Sequence, residues 1–580
     1  MPGAVRYVVP RSAYQGVHEL WRILMTHPHD RARSSARLTF GDVAIVALLY
    51  VGALSLAACT PRAERPVTAA AGAGARGTDG APGATAGDWP GWQKDLRGTR
   101  YNAAETEITP STVAGLKLKW SFVFPEIEFG VPASQPAVVG HTLYIGWGDG
   151  RIYALDARTG ETLWVSDPAA SGKAAVHDGP AVADGKVIFG GYDGSLYALD
   201  AGTGRQVWSV RLGEHETAGI SSSPLVFEGN IYVGVANSEE AKASNPGYPC
   251  CTARGQFVSV SLATGQVRWR RYSMPPAERA GSWPSGEARY EPAGAGVWSS
   301  PAIDPVSRTV FYGTANNFTG TSGDHDSVIA LDVDTGALRW KQQMTHPDAW
   351  TVGCIRPIEH HLPVEHCAGM ADGTNVDWDI GSSPNVFTVG GRTLVGIGQK
   401  SGFYHAFDAR TGQIVWQRQL SYAQHNGGSG GILWGTASDG RRLYVATWLG
   451  KPGTLFGLDP ATGEILWRTP NPADGCTTGG AAAHSDACTV ANMSAVSATP
   501  GLVYEGGMDG KMRIYRAEDG AILWQYDTVR EFAGVNHVTG PGGAIAAHGG
   551  AVVAHGMLYV RSGYFPWFGM TGRVLLAFGL

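Results

Sequence analysis

Charged residues are scarce in this chain of 580 residues. They make up 16 % of the sequence, and 45 basic against 50 acidic side chains leave a formal net charge of -5. A chain with this balance cannot neutralise a phosphate backbone through a basic surface, which excludes that class of nucleic-acid-binding protein. Cysteine is also rare. The seven cysteines show no zinc-ligand spacing and no CxxCH sequence, which excludes a covalently bound haem c in this chain.

One apolar run without charge occurs near the amino terminus, at residues 43–58. A run of 16 residues is shorter than the roughly 20 that a membrane-spanning helix needs, and it fits the core of a signal peptide. The sequence LAAC at 56–59 resembles the lipobox of bacterial lipoproteins. We therefore expect a signal peptide of the lipoprotein type at 1–58 and a periplasmic protein anchored through lipid on Cys59. Thr60, rather than Asp, favours the outer membrane. An ordinary secretory signal and a start at Met25 remain alternatives.

The chain after Cys59 predicts a tether followed by a disulfide-bonded domain. Residues 59–88 contain almost no apolar bulk and are typical of a flexible linker, so the folded domain is expected at 89–580. The six remaining cysteines are an even number, which indicates disulfides in an exported chain. The closely spaced pairs Cys354–Cys367 and Cys476–Cys488 are candidates. They leave the adjacent residues Cys250 and Cys251.

One short phrase recurs along the folded part of the chain: an alternating strand, a turn close to LDxxTG, and a tryptophan four residues after the glycine. The seven copies end at Trp164, Trp208, Trp269, Trp340, Trp416, Trp467 and Trp524. The glycine supplies a positive φ for a tight hairpin, and the next strand presents its tryptophan to the neighbouring unit. The spacings of 44 to 76 residues leave room for four strands in each unit.

This repeat predicts an all-β fold, an eight-bladed β-propeller. The eighth blade is assembled from both ends of the chain. LKLKW, ending at Trp120, supplies a tryptophan strand, and the carboxyl-terminal RVLLAFGL supplies its partner. Closing the ring in this way pairs edges that would otherwise be free.

The repeat, together with WSFVFP early and RSGYF late in the chain, resembles the quinoprotein alcohol dehydrogenases. This resemblance implies an exported enzyme that holds pyrroloquinoline quinone (PQQ) and Ca²⁺ on the propeller axis. It places the calcium ligands at Glu239 in VGVANSEE and at Asn316 in FYGTANN. Calcium prefers six to eight oxygen ligands, which carboxylate, amide and quinone atoms would supply. The same resemblance places Trp298 as the flat floor under the quinone and Lys400 beside its reactive carbonyl.

The catalytic base implied by the resemblance is an aspartate in the loop NFTGTSGDHDSV. A carboxylate close to both calcium and substrate is needed to accept the proton of the alcohol. Asp326 and Asp324 are the candidates. We favour Asp326, which also counts as a calcium ligand, and keep Asp324 as the alternative.

Cys250 and Cys251 in GYPCCTARG resemble the vicinal disulfide that lies over the cofactor in this family. Their position after Glu239, rather than before it, departs from the methanol-oxidising members. Two separate thiols remain the alternative. Arg254 in the same loop is a candidate partner for a quinone carboxylate.

The arrangement SxEE…YPCCxxRG and the segment GQKSG…GGILWGTASDG resemble the polyvinyl alcohol dehydrogenase branch of the family. This implies oxidation of secondary alcohols, small or polymeric, and transfer of electrons to a separate cytochrome c or similar acceptor. The competing hypothesis is a non-enzymatic propeller lipoprotein that acts as an outer-membrane assembly scaffold. Such a scaffold needs the lipobox and the repeats but none of the site residues.

Overall fold

The computed structural model describes residues 84–127, 134–168, 175–354, 366–368, 376–422, 430–448, 452–547, 549–563 and 569–580. The predicted signal peptide, Cys59 and most of the predicted tether lie outside the described residues. No helix within the described ranges is both long and apolar enough to cross a membrane. Trp89, where the folded domain was expected to begin, is fully buried.

The described residues form eight blades of antiparallel strands, seven with four strands and one, blade 3, with five. Strand β1 (Lys117–Val123) precedes blade 1. Blade 1 comprises β2 (Ala137–Val139), β3 (Thr142–Gly146), β4 (Ile152–Asp156) and β5 (Thr162–Ser166). Blade 2 comprises β6 (Ala181–Ala183), β7 (Lys186–Gly190), β8 (Ser195–Asp200) and β9 (Gln206–Arg211). Blade 3 comprises β10 (Ala218–Gly219), β11 (Leu225–Phe227), β12 (Asn230–Asn237), β13 (Gln256–Ser261) and β14 (Val267–Tyr272), with β10 and β11 both pairing with β12.

Additional elements separate blades 3 and 4. The hairpin β15 (Glu278–Ser282) and β16 (Ala288–Glu291) is followed by β17 (Ala293–Gly294), which pairs with β20 (Asn317–Thr319). Blade 4 comprises β18 (Ala302–Asp304), β19 (Thr309–Gly313), β21 (Ser327–Asp332) and β22 (Leu338–Gln343). Helical turns are short: the helix α1 (Glu239–Lys242) and 3₁₀ turns at Val113–Gly115, Val352–Cys354 and Gly479–His484.

The second half of the ring repeats the same plan. Blade 5 comprises β23 (Asn385–Val389), β24 (Arg392–Gly398), β25 (Phe403–Asp408) and β26 (Ile414–Gln419). Blade 6 comprises β27 (Ala437–Ser438), β28 (Leu443–Ala446), β29 (Thr454–Leu458) and β30 (Ile465–Pro470). Strand β31 (Met493–Ser494) precedes blade 7, which comprises β32 (Ser497–Thr499), β33 (Leu502–Gly506), β34 (Lys511–Arg516) and β35 (Ile522–Asp527). The hairpin β36 (Glu531–Ala533) and β37 (Thr539–Pro541) and strand β38 (Ala546–Ala547), which pairs with β31, complete the insertions.

The ring closes through the two ends of the folded domain. Blade 8 comprises β39 (Val552–Ala554), β40 (Met557–Ser562), β41 (Val574–Gly579) and, as its outermost strand, β1. Val123 lies opposite Val574 and Lys117 opposite Gly579 in this antiparallel pair. The predicted eight-bladed propeller and its closure by terminal strands are therefore confirmed.

The repeat tryptophans dock each blade on the next by one repeated contact. The indole Nε1–H donates to a backbone carbonyl in the hairpin of the following blade, at 2.9 to 3.1 Å. The donors are Trp120, Trp164, Trp208, Trp269, Trp340, Trp416 and Trp467. Trp524 instead packs edge-on against Phe578, at 5.3 Å between ring centroids, because the last blade is the one closed by chain termini.

The glycine of each repeat receives the indole ring of the preceding blade. Gly412 has φ +74°, and a Cβ placed on it would lie 2.6 Å from Cδ2 of Trp340. The same arrangement recurs from Gly160 to Gly520. This position needs glycine for two reasons, since an L side chain would be strained at that φ and would overlap the ring.

The segment 89–102 circles the hub and bonds to the innermost strands. Val182 of blade 2 donates its N–H to the carbonyl of Pro90 at 2.7 Å, and Val386 of blade 5 donates to Arg97 at 2.7 Å. Equivalent bonds reach the innermost strands of blades 1, 4, 6, 7 and 8. The segment thus ties seven blades together from inside the ring.

We expect Trp340→Ala to destabilise the domain by about 3–5 kcal/mol, because it removes a large buried ring and leaves a cavity between blades 4 and 5. Trp340→Phe keeps most of the bulk and loses only the hydrogen bond to the Ala409 carbonyl, so it should cost about 1 kcal/mol. Denaturant unfolding followed by tryptophan fluorescence and circular dichroism measures both. Identical midpoints for wild type and Trp340→Ala would contradict the docking role.

Candidate active site

Lys400 lies between two aspartates at the end of the propeller where the innermost strands begin. Its Nζ is 2.9 Å from Asp377 Oδ1 and 2.8 Å from Asp379 Oδ2, and its side chain is only 14 % exposed. Burial alone would lower the pKa of Lys400, but the two carboxylates outweigh it and raise that pKa above the ordinary value. The site therefore contains a permanently charged, positioned ammonium group.

Asn316 connects this ion-pair cluster to blade 4. Its backbone N–H donates to Asp379 Oδ1 at 2.7 Å. Its side-chain amide nitrogen donates to the carbonyl oxygens of Asn317 and Trp350, at 2.6 and 2.9 Å. Because both amide hydrogens are used in this way, the orientation of the amide is set and its oxygen is left as the free acceptor end.

Asp326 is fully buried beside this cluster. Its Oδ2 lies 2.9 Å from Nδ1 of His325, whereas its buried Oδ1 has no hydrogen-bond partner. Burial, together with the charges of Asp379 and Asp377, raises the pKa of Asp326 well above its usual range. A buried carboxylate oxygen without a donor is a position where a cation would be favourable.

Asp348 and Glu240 add two further acidic groups that the sequence reasoning did not single out. Burial and the neighbouring Asp326 raise the pKa of Asp348 to about 9. Burial and the charges of Asp379 and Asp377 raise the pKa of Glu240 to about 8. Five carboxyl groups thus interact around a single lysine, and burial together with their mutual repulsion raises the pKa values of Asp326, Asp348 and Glu240.

Trp298 lies beside Lys400, with its ring centroid 5.8 Å from Nζ. A Cβ placed on Gly381 would lie 1.8 Å from Cη2 of Trp298, so the indole occupies space that only a glycine leaves open. Trp434 packs edge-on against the same ring at 5.2 Å. The structure therefore brings Trp298 and Lys400 together as the sequence predicted, with a broad aromatic surface next to the cation.

Glu239, the predicted calcium ligand, is fully buried but already bonded to protein donors. Its carboxylate accepts from the hydroxyl of Tyr248 at 3.0 Å and from the N–H groups of Thr252 and Ala253, at 2.8 and 2.6 Å. It holds the loop that directly follows Cys251. Its role as a metal ligand stays a prediction. The adjacent Glu240 is the residue that interacts electrostatically with Lys400 and its aspartates.

Six cysteines form three disulfides in the described residues. Cys354–Cys367 and Cys476–Cys488 are bonded as predicted, and Cys250–Cys251 forms the vicinal disulfide. The vicinal pair is fully buried in an apolar cluster with Phe318, a neighbour in sequence of Asn317.

Arg254 and Asp324 do not join this cluster in the described residues. Asp324 forms ion pairs with Arg271, at 2.9 Å, and with Lys341, while the Arg254 guanidinium stacks on Tyr272 at 3.5 Å from the ring centroid. Only His325 separates Asp324 from Asp326, yet the positive φ of +44° at Asp326 turns the chain there. Of the two candidate bases, the structure brings Asp326 to Lys400's neighbourhood and leaves Asp324 outside it. Both Arg254 and Asp324 line a separate cavity.

The residues present fit a planar quinone and a hard cation. Trp298 offers the flat surface, Lys400 the donor, and Asp326 Oδ1 and the Asn316 amide oxygen the ligand atoms. In the described residues, no three His, Cys, Asp or Glu side chains converge closely enough to hold a metal by themselves. A cation here would therefore need amide oxygens and cofactor oxygens in addition to carboxylates.

Comparison with known proteins identifies the family. Residues 89–354 match the family described as "PQQ: Glucose/ethanol/alcohol dehydrogenase, beta-propeller domain". A polyvinylalcohol dehydrogenase from Pseudomonas sp is 31% identical, covering 86% of this chain and 77% of the relative. One from Sphingopyxis sp. (strain 113P3) is 32% identical, covering 83% and 73%. This chain belongs to the quinoprotein alcohol dehydrogenase family. It is an oxidoreductase that acts on alcohols.

Other matches agree with the architecture of this quinoprotein. Residues 400–563 also match the family described as "PQQ_2: Outer membrane protein assembly factor BamB". The quinohemoprotein alcohol dehydrogenase ADHIIG from Pseudomonas putida HK5 has a TM-score of 0.62 at 20% identity, covering 85% of this chain and 80% of that one. A europium-containing methanol dehydrogenase has a TM-score of 0.61 at 19% identity, covering 86% and 98%. These structures show the shared fold.

Asp377 and Asp379 of this quinoprotein were not singled out by the sequence reasoning, although the sequence contains one signal for them. Trp298 is followed by Ser-Ser-Pro at 299–301, and Gly381 is followed by Ser-Ser-Pro at 382–384. The two segments enter the innermost strands of neighbouring blades. Aligning them would have pointed to DWD at 377–379 as a second set of site residues.

We expect Gly381→Ala to weaken binding of PQQ, because the added Cβ would displace Trp298 from its position beside Lys400. Gly202→Ala is the control, since a Cβ there meets only Asp200 Oδ1 at 3.6 Å. Titration of the purified variants with PQQ, followed by tryptophan quenching, measures affinity, and melting curves report the fold. Unchanged PQQ affinity in Gly381→Ala would show that Trp298 does not contact the cofactor.

Proposed function

We propose that this protein is an exported, lipid-anchored dehydrogenase that uses PQQ and Ca²⁺ to oxidise secondary alcohols, including the hydroxyl groups of polyvinyl alcohol. We further propose that a cytochrome c-type protein accepts its electrons. The observation that carries the proposal is the buried Lys400, held beside Trp298 by Asp377 and Asp379. The similarity to two polyvinylalcohol dehydrogenases over most of the chain supports the choice of substrate.

Bound PQQ would supply an ortho-quinone that takes two electrons from the alcohol. The residues of the chain create the conditions for that chemistry. Lys400 would supply positioned N–H donors to an oxygen that gains negative charge, and preorganised charge of this kind stabilises a transition state. Trp298 would orient a flat ring by stacking. The excess of carboxylates favours a divalent cation, which would offset their repulsion.

Two aspartates are candidates for the base that accepts the alcohol proton. Asp326 is the residue favoured by the sequence, and its orphaned Oδ1 equally suits a calcium ligand. Asp379 contacts Lys400 directly at 2.8 Å, so its carboxylate lies beside the ammonium group. We propose Asp379 as the proton acceptor and Asp326 as a cation ligand, a division of roles that variants of the two residues can separate.

The electron acceptor is proposed to be a separate molecule. The chain has no CxxCH motif for covalent haem, so electrons must leave to another molecule. Export is supported by the apolar run at 43–58 and by three disulfides in the described residues.

The function is tested with residues 60–580 reconstituted with PQQ and Ca²⁺. We expect reduction of an artificial electron acceptor with 2-propanol, longer secondary alcohols and polyvinyl alcohol, and loss of turnover after chelation that returns with Ca²⁺. An absence of turnover with every alcohol, together with loss of quinone absorbance on desalting, would rule the proposal out and favour a scaffold.

Two variants divide the roles of the aspartates in the same assay. Asp379→Asn should keep PQQ and Ca²⁺ but lower kcat by about 10²- to 10⁴-fold, the usual contribution of a general base. Asp326→Asn should instead weaken Ca²⁺ binding, measured by titration calorimetry. Full turnover in Asp379→Asn would exclude it as the base and return that role to Asp326.

Lipid anchoring is tested separately in cells that express the full chain. The wild-type protein should incorporate labelled palmitate and partition into detergent, because the lipobox cysteine carries the lipid. Cys59→Ser should lose both properties. Equal labelling of Cys59→Ser and wild type would contradict the anchor.

A further inference from the structure

A second cavity lies outside the candidate active site, between the outer strand of blade 3 and the turns of blade 4. Its volume is about 570 Å³, which falls in the range of small-molecule sites. Three arginines line it, Arg254, Arg270 and Arg271, together with Tyr272 and Asp324. Such a concentration of guanidinium groups is notable in a chain whose net charge is -5.

Positive charge is in excess around this cavity. Arg270 pairs with Glu214 at 2.5 Å, and Arg271 pairs with Asp324 at 2.9 Å. Lys341 also pairs with Asp324. With Arg254, four cations therefore share two carboxylates. A ligand that carries negative charge would complete the balance.

Arg254 is the cation with the weakest protein partners. Its nearest carboxylate is Glu214 at 3.9 Å, and its Nη1 is 3.5 Å from the carbonyl of Met274. The guanidinium stacks on the Tyr272 ring, which fixes its plane. The N–H donors of a guanidinium lie in that plane and match the paired oxygens of a carboxylate or phosphate.

We propose that this cavity binds a small, multiply charged oxyanion, a carboxylate or phosphate compound, with Arg254 as the main recognition residue. The cavity is open to solvent and its arginine side chains are 19 to 26% exposed, so a ligand can reach them. The site is separate from the Lys400 cluster and does not depend on the alcohol-oxidising function. It assigns Arg254 and Asp324 to a second ligand site rather than to the cofactor pocket.

The test is titration calorimetry on the folded chain, residues 60–580, with citrate and with inorganic phosphate at constant ionic strength. We expect saturable binding of one ion per chain. Arg254→Gln should weaken it by at least about tenfold. Arg268→Gln is the control, because Arg268 is an exposed arginine of β14, the strand of Arg270 and Arg271, and does not line the cavity. Its affinity should equal that of the wild type.

A variant that is expected to raise the affinity for the oxyanion distinguishes a specific effect from misfolding. Glu214→Gln removes a carboxylate that competes for Arg270 and Arg254, so it should bind the oxyanion more tightly than the wild type. Preference for citrate or for phosphate would identify which group the arginines recognise. The proposal is overturned if the wild type binds neither ion saturably, if Arg254→Gln and Arg268→Gln lose affinity equally, or if Glu214→Gln gains none.

Discussion

The contact between an indole ring and a glycine of the next blade determines how neighbouring blades of the propeller are placed. It occurs at every junction from Trp120–Gly160 to Trp467–Gly520, and each time the indole N–H also binds the neighbouring hairpin. The candidate site takes residues from blades 4 and 5. Their separation is set by the docking of Trp340 on Gly412 between those blades. The 2.7 Å bond from Asn316 to Asp379 is therefore a consequence of ring packing.

The fold was predictable because its information is local and repeated. LDxxTG, a positive-φ glycine and a following tryptophan recur within 12 residues, so each copy indicates one blade independently. The pairing of β1 with β41 was predictable because the tryptophan strand at Trp120 has no preceding partner strand nearby in the sequence, and the carboxyl-terminal RVLLAFGL supplies one. Trp298, Asn316 and Lys400 were placed by their resemblance to motif positions of the quinoprotein alcohol dehydrogenases.

The remaining site residues depend on distances that sequence spacing does not show. Asp377 and Asp379 belong to the connection that enters blade 5, outside the LDxxTG repeat. Asp324 and Asp326 are nearly adjacent, but a left-handed backbone conformation at Asp326 sends one carboxylate to the hub and the other to surface arginines. Glu239 and Glu240 present the same difficulty, since a single residue shift decides whether a carboxylate binds a loop or faces other acids.

Blade 8 has a consequence for how the ring is made. Its outer strand comes from residues 117–123 and the neighbouring strand from residues 574–579. The first strand of the domain can therefore pair only after nearly the whole chain has been made. Pairing over such a separation carries a large loop-closure cost that must be offset by the other blades. A truncated chain that ends before β41 leaves the backbone N–H and C=O groups of β1 without their pairing partner. The ring can therefore close only once the carboxyl-terminal strand is present.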